Sequence, residues 1–276
     1  MPQRHRSKKS GSPDTIKNVV IAILFSIVIF ETILLARVYV PGFRPKIRIP
    51  ERTSLGKVAI IIDDNGYNMT DCNAISQINA PITVSVLPHL KYSQEIAHCA
   101  HNQGKEVMLH LPLEPHQNND TYPGNYIITT VMPPSLVIQK FNEALASVPH
   151  AKGINNHMGS KATEDTALMS ILFTQMKINN LYFVDSRVTR KTICPLLASQ
   201  RHLPFAERDV FLDNKNDRTY IEQQFRELRQ TAVKHGYAIG ICHARALTWD
   251  ILKEQIDLMT SIGYEIVPVK SIINSL

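Results

Sequence analysis

Short apolar segments alternate with amphipathic ones along most of this chain, which predicts strands that are each followed by a helix. The apolar segments are rich in Val, Ile, Leu and aromatic residues, as is typical of strands buried on both faces of a parallel sheet. Strands are predicted at about residues 57–62, 82–87, 106–110, 181–185, 208–212, 237–242 and 264–269. Helices are predicted at about 70–79, 92–103, 134–148, 164–179, 218–235 and 248–262. The fold class is therefore α/β, with a parallel sheet or barrel.

Many of the apolar segments end on a carboxylate or an imidazole. These residues are Asp63 and Asp64, His110, Asp185, Asp213 and His243. Because the carboxyl ends of parallel strands lie on one face, residues that are far apart in sequence converge there. We expect an active site at that face. Asp213 is the exception, since its sequence context favours a turn or cap residue.

The N-terminal segment carries a membrane signal. Val19 to Ala36 is apolar except for Ser26, Glu31 and Thr32, and eighteen helical residues rise about 27 Å, close to the hydrocarbon thickness of a bilayer. Five basic residues precede it, which keeps the N-terminus cytoplasmic and the rest outside. We predict a cytoplasmic basic tail (1–17), a single-pass inner-membrane anchor (18–40), a linker (41–56) and a periplasmic or exterior domain (57–276). A cleaved signal peptide is the alternative.

Charge and cysteine content narrow the choice of partners. Residues 1–50 carry nine Lys or Arg against two acids, and the rest of the chain carries 21 against 22, so the globular part is nearly neutral. Nucleic-acid binding is therefore not expected. Cys72, Cys99, Cys194 and Cys242 show no metal-binding spacing. They are expected to be buried thiols or, in an oxidising exterior, to include one disulfide.

Three segments offer ligands or catalytic groups by residue type alone. Adjacent carboxylates at Asp63 and Asp64 allow one to bind a metal while the other takes a proton from water. In "HLPLE", His110 is followed by Glu114, and His, Asp and Glu are the ligands of open catalytic zinc sites. The polar segment "GINNHMGSKAT", expected to be a loop, offers His157 as a further imidazole.

Other polar residues suggest substrate contacts and proton transfer. Asn155, Asn156 and Ser160 suit a sugar hydroxyl or an oxyanion. His243 ends the apolar segment "YAIGIC" and suits a general acid. The turn-rich residues 114–126 suit a lid over the strand ends. Motifs of serine hydrolases, nucleoside triphosphatases, dinucleotide enzymes and HExxH metalloproteases are absent from the sequence.

From about Lys57 to Leu276 the chain resembles the divergent polysaccharide deacetylase family, a distant branch of the metal-dependent polysaccharide deacetylases. The resemblance lies in the segments "IIIDDNG", "KEVMLHLPLEP", "GINNHMGSKAT", "YFVDSRVT", "RDVFLD" and "YAIGICHARALTWDIL". It implies a distorted (β/α) barrel, preceded here by one N-terminal transmembrane helix.

The resemblance also implies a metal site. Asp63 matches the catalytic base and Asp64 the first metal ligand, while His110 and Glu114 stand where the main family has two histidines. The divalent metal is expected to be zinc. Its ligands would be Asp64, His110 and either Glu114 or His157. His157 is preferred, because two neutral imidazoles and one carboxylate leave a positive centre that acidifies water better.

The remaining implied roles concern proton transfer. His243 matches the family's general acid, and Asp185 with Arg187 stands where the family keeps the acid that orients this histidine. The expected function is removal of acetyl groups from an envelope or extracellular polysaccharide. A catalytically inactive module that binds glycan or an envelope partner is the alternative, because the second histidine is replaced. A metal-independent glycosidase that uses two of the carboxylates is a third hypothesis.

Overall fold

The computed structural model describes residues 13–39, 54–117 and 126–276. The chain divides into two compact units, Met1–Glu51 and Arg52–Leu276. The predicted basic tail over 1–17 and the predicted linker over 41–56 lie mostly outside the described residues, as does the centre of the polar segment 114–126.

The first unit contains one long helix, α1 (Pro13–Tyr39). Its stretch from Lys17 to Leu35 is long and apolar enough to cross a membrane, a property that anchors and signal sequences share. The hydroxyls of Ser26 and Thr32 donate to the carbonyls of Ala22 and Val28, one turn earlier. Both polar side chains are therefore satisfied within the helix, which lowers the cost of placing them among lipid chains.

The second unit alternates strands and helices. The strands are β1 (Lys57–Asn65), β2 (Thr83–Val86), β3 (Glu106–Leu113), β4 (Ala151–Met158), β5 (Tyr182–Asp185), β6 (Phe205–Glu207), β7 (Val210–Phe211), β8 (Tyr237–His243) and β9 (Glu265–Ile266). The helices are α2 (Thr70–Gln77), α3 (Ser93–Asn102), α4 (Pro134–Ser147), α5 (Thr166–Ile178), α6 (Cys194–Arg201), α7 (Arg218–His235), α8 (Ala246–Ile262) and α9 (Val269–Ile273), with a 3-10 turn at Ala162–Glu164.

The strands form a distorted (β/α) barrel, as the resemblance implied. Their order is β6-β5-β4-β3-β2-β1-β8-β7, with β9 added to β1, and the pairings are parallel. β6 pairs with β5 and β7 pairs with β8. Only Arg208 and Asp209 separate β6 from β7, so this short piece of chain connects the two ends of the sheet and closes the barrel.

Side-chain alternation divides the core into two parts. On β1, Val58, Ile60 and Ile62 belong to the cluster that packs beneath the helices, whereas Ala59 and Ile61 belong to the barrel interior. The interior also takes Val269, Ile272 and Ile273 from α9. This short helix contacts the beginnings of β2 and β3 through hydrogen bonds at Thr83 and Glu106. The opposite end of the barrel is left to polar side chains.

The predicted helices are present to within a few residues, and two strands and two helices were missed. The expectation that residues 153–163 form a loop was wrong, because β4 runs from Ala151 to Met158. Its consecutive polar residues Asn155, Asn156 and His157 interrupt the apolar pattern that identifies buried strands. Strand β6 and helices α6 and α9 were also missed, and the predicted strand over 208–212 shortens to Val210–Phe211.

The cysteines separate into a disulfide and two thiols. Cys72 on α2 and Cys99 on α3 form a disulfide, with their Cα atoms 6.0 Å apart. Cys194 and Cys242 are buried free thiols. The disulfide therefore connects the two helices that flank β2.

Gly153 on β4 is required by the ring of Tyr182, its register partner on β5. A Cβ atom at Gly153 would lie 2.2 Å from Cε2 of that ring. We predict that Gly153→Ala lowers the free energy of unfolding by about 3 kcal/mol, the upper range for overpacking a core. Urea unfolding of the full-length protein measures this loss.

A double-mutant cycle identifies the ring as the cause. In a Tyr182→Leu background, which removes the ring, Gly153→Ala should cost clearly less than in the native background. An equal cost in both backgrounds would contradict the steric explanation.

Candidate metal centre

Two adjacent residues at the end of β1 reach the same site. Asp63 continues the inward alternation of Ala59 and Ile61, so Asp64 would normally point the other way. Asp64 instead has φ 60, and the pairing of β1 with β2 shifts register between Ile62 and Asn65. The left-handed backbone costs about 1 kcal/mol but turns the second carboxylate toward the barrel axis as well. The side-chain amide of Asn65 supports this turn by donating to the carbonyl of Ile62 at 2.6 Å.

Asn155 on β4 holds Asp63 and His110 together. It is fully buried, and His110 is its register partner on β3. Its Nδ2 donates to Asp63 Oδ1 at 2.8 Å, and its Oδ1 accepts from Ser85 at 2.6 Å and lies 2.8 Å from His110 Nδ1. If the Asn155 amide were flipped, its oxygen would face Asp63 Oδ1, and the two oxygens would repel each other. The proton of His110 is therefore on Nδ1, which leaves Nε2 with a lone pair for a ligand.

Three ligand atoms from three strands converge beside Asp63. Asp64 Oδ1 lies 3.3 Å from His110 Nε2 and 3.1 Å from His157 Nδ1, and the two nitrogens are 3.2 Å apart. Tetrahedral zinc ligands with bonds of about 2.0–2.1 Å lie about 3.3–3.4 Å apart. Among the described residues, this trio is the group of His, Cys, Asp or Glu that could hold a metal ion.

The chemistry of the donor atoms also fits a cation. Asp64 Oδ1 is buried and accepts no hydrogen bond of good geometry from the described residues. A buried acceptor without a partner is costly unless a cation or a donor completes it. One carboxylate and two imidazoles form the ligand set of an open catalytic zinc site with room for a further ligand.

The two carboxylates experience different electrostatic environments. Burial raises the pKa of Asp63, outweighing the opposite effect of His110. Burial acts in the same sense on Asp64, but the close approach of the His110 and His157 imidazoles holds the pKa of that carboxyl well below its usual range. Asp64 is thus anionic, as a metal ligand must be, while Asp63 is the better proton acceptor of the pair.

His243 ends β8 directly beside Asp63, its register partner on β1. Its Nε2 lies 3.8 Å from Asp64 Oδ2, and its Nδ1 lies 2.9 Å from Asp213 Oδ1. Asp213 is fully buried and also accepts from Thr248 at 2.8 Å. Burial lowers the pKa of His243, but the bond and charge of Asp213 outweigh it and raise this pKa above its usual value.

Asp213 and not Asp185 is therefore the carboxylate that orients His243, and both sequence-based expectations for these aspartates were wrong. Asp185 accepts hydrogen bonds from Thr192 Oγ1 at 2.6 Å and from the backbone of Arg187 at 2.7 Å, so it fixes the loop that follows β5. The Arg187 side chain points to Glu207, with 3.3 Å between Nε and Oε1. Asp213 ends the segment "RDVFLD", but its contact with His243 could not be read from that segment, because the contact depends on the closure of the barrel by the residues before it.

The other predicted site residues have different surroundings. Glu114 accepts from Lys161 at 2.8 Å and from Thr130 at 2.7 Å, and it is not part of the trio of ligands. Asn155 and Asn156 are buried and hydrogen bonded within the protein, so the expectation that they contact substrate was wrong. The Ser160 hydroxyl accepts from the backbone of His116, and its contact with substrate stays a prediction.

Sequence reasoning missed two supporting residues. Ser85 is a polar residue within the apolar strand "TVSV" and donates to Asn155. Arg208 lies in the piece of chain that closes the barrel, and its side chain donates to the Ser186 carbonyl at 2.7 Å. Its charge interacts with that of Asp63. Ser85 breaks the apolar pattern of its strand and was detectable, whereas Arg208 was not.

The fold and the site together define a (β/α) barrel protein with a candidate metal centre at the carboxyl ends of its strands. The chain belongs to the divergent polysaccharide deacetylase family, whose sequence model matches residues 60–273.

The relatives agree with this membership. An uncharacterised protein of Haemophilus influenzae is 34% identical over 197 residues, which span 71% of this chain and 70% of that protein. The uncharacterised Escherichia coli protein YibQ is 33% identical over 201 residues, which span 73% of this chain and 62% of YibQ. A crystal structure of an uncharacterised Agrobacterium tumefaciens C58 protein superposes with a TM-score of 0.75 at 22% identity, covering 79% of this chain and 89% of that one, and supports the fold.

We predict that the full-length protein in detergent binds one zinc ion per chain. His157→Ala should weaken zinc binding by more than about 100-fold, because it removes a direct ligand and even supporting residues contribute 10- to 100-fold. Competition with a chromophoric chelator measures the affinity, and elemental analysis measures the stoichiometry.

Glu114→Gln is the matched control for the zinc measurement. It should leave the affinity unchanged, because Lys161 and Thr130 already occupy that carboxylate. Loss of zinc from Glu114→Gln but not from His157→Ala would contradict the assignment.

Proposed function

We propose that this protein is a zinc-dependent hydrolase that removes acetyl groups from an envelope or extracellular polysaccharide. The observation that carries the proposal is the convergence of Asp64, His110 and His157 within 3.1–3.3 Å, beside a buried carboxylate and an oriented imidazole. Membership of the divergent polysaccharide deacetylase family supports a glycan as the substrate.

A divalent cation held by the trio would polarise the acetyl carbonyl and lower the pKa of a water molecule. Asp63 is the general base in this scheme. Its Oδ1 is held by Asn155, and its Oδ2 lies 3.7 Å from His110 Nε2, which places it at the edge of the ligand set. Its pKa, raised by burial, makes it a stronger base than an exposed aspartate.

His243 is the general acid in this scheme. Asp213 accepts a hydrogen bond from Nδ1–H, so Nε2 is the nitrogen that faces the centre and can protonate the leaving amine. Because its pKa is raised, the imidazolium form persists closer to neutral pH. Water addition and departure of the amine give acetate and a free amino sugar.

We infer that the barrel faces the periplasm or exterior and that α1 anchors it in the inner membrane. The Cys72–Cys99 disulfide supports an oxidising compartment. Basic residues before Lys17 support a cytoplasmic N-terminus by the positive-inside rule.

The base is tested by Asp63→Asn in the full-length, zinc-loaded protein. We expect kcat for acetate release from an N-acetylglucosamine oligosaccharide to fall by about 10²- to 10⁴-fold, with zinc binding retained. Asp257→Asn, at an exposed position on α8, should keep full activity. Unchanged acetate release by Asp63→Asn would refute the role.

The acid is tested by the pH dependence of Asp213→Asn. A general acid must be protonated, so activity falls as pH rises through its pKa. Asp213 raises the pKa of His243, and its removal should move the alkaline limb of the kcat profile to lower pH. An alkaline limb that stays in place would show that His243 is not the titrating acid.

A further inference from the structure

A cavity of about 790 Å³ separates α2 from α8, the two helices that leave the adjacent strands β1 and β8. The lining residues repeat at helical spacing, which means that one face of each helix is turned to the cavity. On α2 they include Thr70, Asp71, Ala74 and Gln77, and on α8 they include Ala246, Trp249, Asp250 and Lys253. Most of these side chains are polar, although neighbouring barrel helices usually bury apolar side chains against each other.

Two lining residues of the cavity are neighbours of the candidate metal centre. Ala244 lines it and directly follows His243, and the Ala244 backbone donates to the Asp63 carbonyl at 3.1 Å. Asn68, in the turn that follows Asp63 and Asp64, lines it as well. A polymer that presents one unit to the centre can therefore place the next unit between α2 and α8.

Asp71 is the residue that indicates a binding site in this cavity. Its side chain lines the cavity and is only 9% exposed, and no hydrogen bond or ion pair from the described residues reaches its carboxylate. Burial alone raises the pKa of Asp71 to about 6, so the group is ionised at pH 8. Because this carboxylate faces the cavity and has no partner among the described residues, hydroxyl donors from a ligand in the cavity can bind it.

Trp249 supplies the surface on which a ring can lie. The half-buried indole packs against the core cluster with one part and lines the cavity with another. The C–H groups on one face of a pyranose ring form an apolar surface that packs on an indole, while its hydroxyls reach the carboxylate. At the far end, Arg218 and Glu254 pair at 2.8 Å, so their charges are already compensated.

We propose that this cavity is a subsite for one sugar ring of a glycan, adjacent to the unit held at the centre, with Asp71 accepting ring hydroxyls and Trp249 stacking on the ring. The subsite deepens the proposed function and rests on it for the choice of a glycan.

Trp249 is the single tryptophan of the chain, so its fluorescence reports on this cavity alone. The full-length protein in detergent at pH 8, with chelator present, is titrated with tetrasaccharides of N-acetylglucosamine and of glucose. We expect a saturable change of emission with at least one tetrasaccharide and a much weaker response to its monosaccharide. The absence of a response to both tetrasaccharides would overturn the subsite.

Variants assign the binding to the cavity. Asp71→Ala should raise the Kd by about tenfold or more, as expected for a lost hydrogen bond to a charged group. Asp257→Ala, an exposed acid on α8 outside the cavity, should leave it unchanged. The melting temperature of Asp71→Ala should be equal to or higher than that of the native protein, because the Asp71 carboxylate has no partner in the protein to lose. Equal Kd values for the two variants would overturn the role of Asp71.

A second variant fills the cavity and keeps the Asp71 carboxylate in the sequence. Ala74→Phe places a ring between the helices and should also abolish the emission change, whereas retained binding would contradict the location. Because the chelator prevents metal-dependent turnover in the titration, acetate release is measured separately with the zinc-loaded protein. Binding in the titration with no acetate release from the zinc-loaded protein would refute the proposed function but keep the subsite. Acetate release without an emission change would refute the subsite but keep the proposed function.

Discussion

The candidate centre depends on one buried amide. Asn155 donates to Asp63 and accepts from Ser85 and His110, so side chains from three other strands are fixed by one residue. Such a network is stabilising only when each member is satisfied, because an unpaired polar group inside a protein costs more than a hydrogen bond gains. The same contacts set the proton of His110 on Nδ1 and turn its other nitrogen to the ligand position. Asn155 thus determines both the positions of these buried side chains and the protonation of His110.

A second buried carboxylate plays the corresponding part on the other side of the site. Asp213 orients His243 through Nδ1 and is itself held by Thr248. The network around Asn155 and the network around Asp213 meet where Asp63 and His243 are register partners on β1 and β8. Each reactive side chain is therefore supported by a buried partner on another element, and this keeps the arrangement rigid.

Asp63, Asp64, His110 and His243 could be located from sequence, because apolar segments that stop on polar residues have a clear pattern, although β3 continues past His110 to Leu113. The same reasoning failed at β4, where Asn155, Asn156 and His157 lie in a strand but read as a loop. Polar residues are buried there because they bond to one another across strands, and such pairing has no local signature. The partner of His243 was missed for the same reason: Asp213 reaches it only after residues 205–211 have closed the barrel.

The placement of α9 and β9 bears on how the barrel is assembled. β1 pairs with β2, β8 and β9, so the first strand of the domain is completed by chain that is synthesised about 200 residues later. Val269, Ile272 and Ile273 then fill the base of the interior. Contacts of such long sequence separation are slow to form. During synthesis the emerging polypeptide therefore carries an open apolar lumen until residues 265–273 arrive, and chaperones or proteases have that interval in which to act on it.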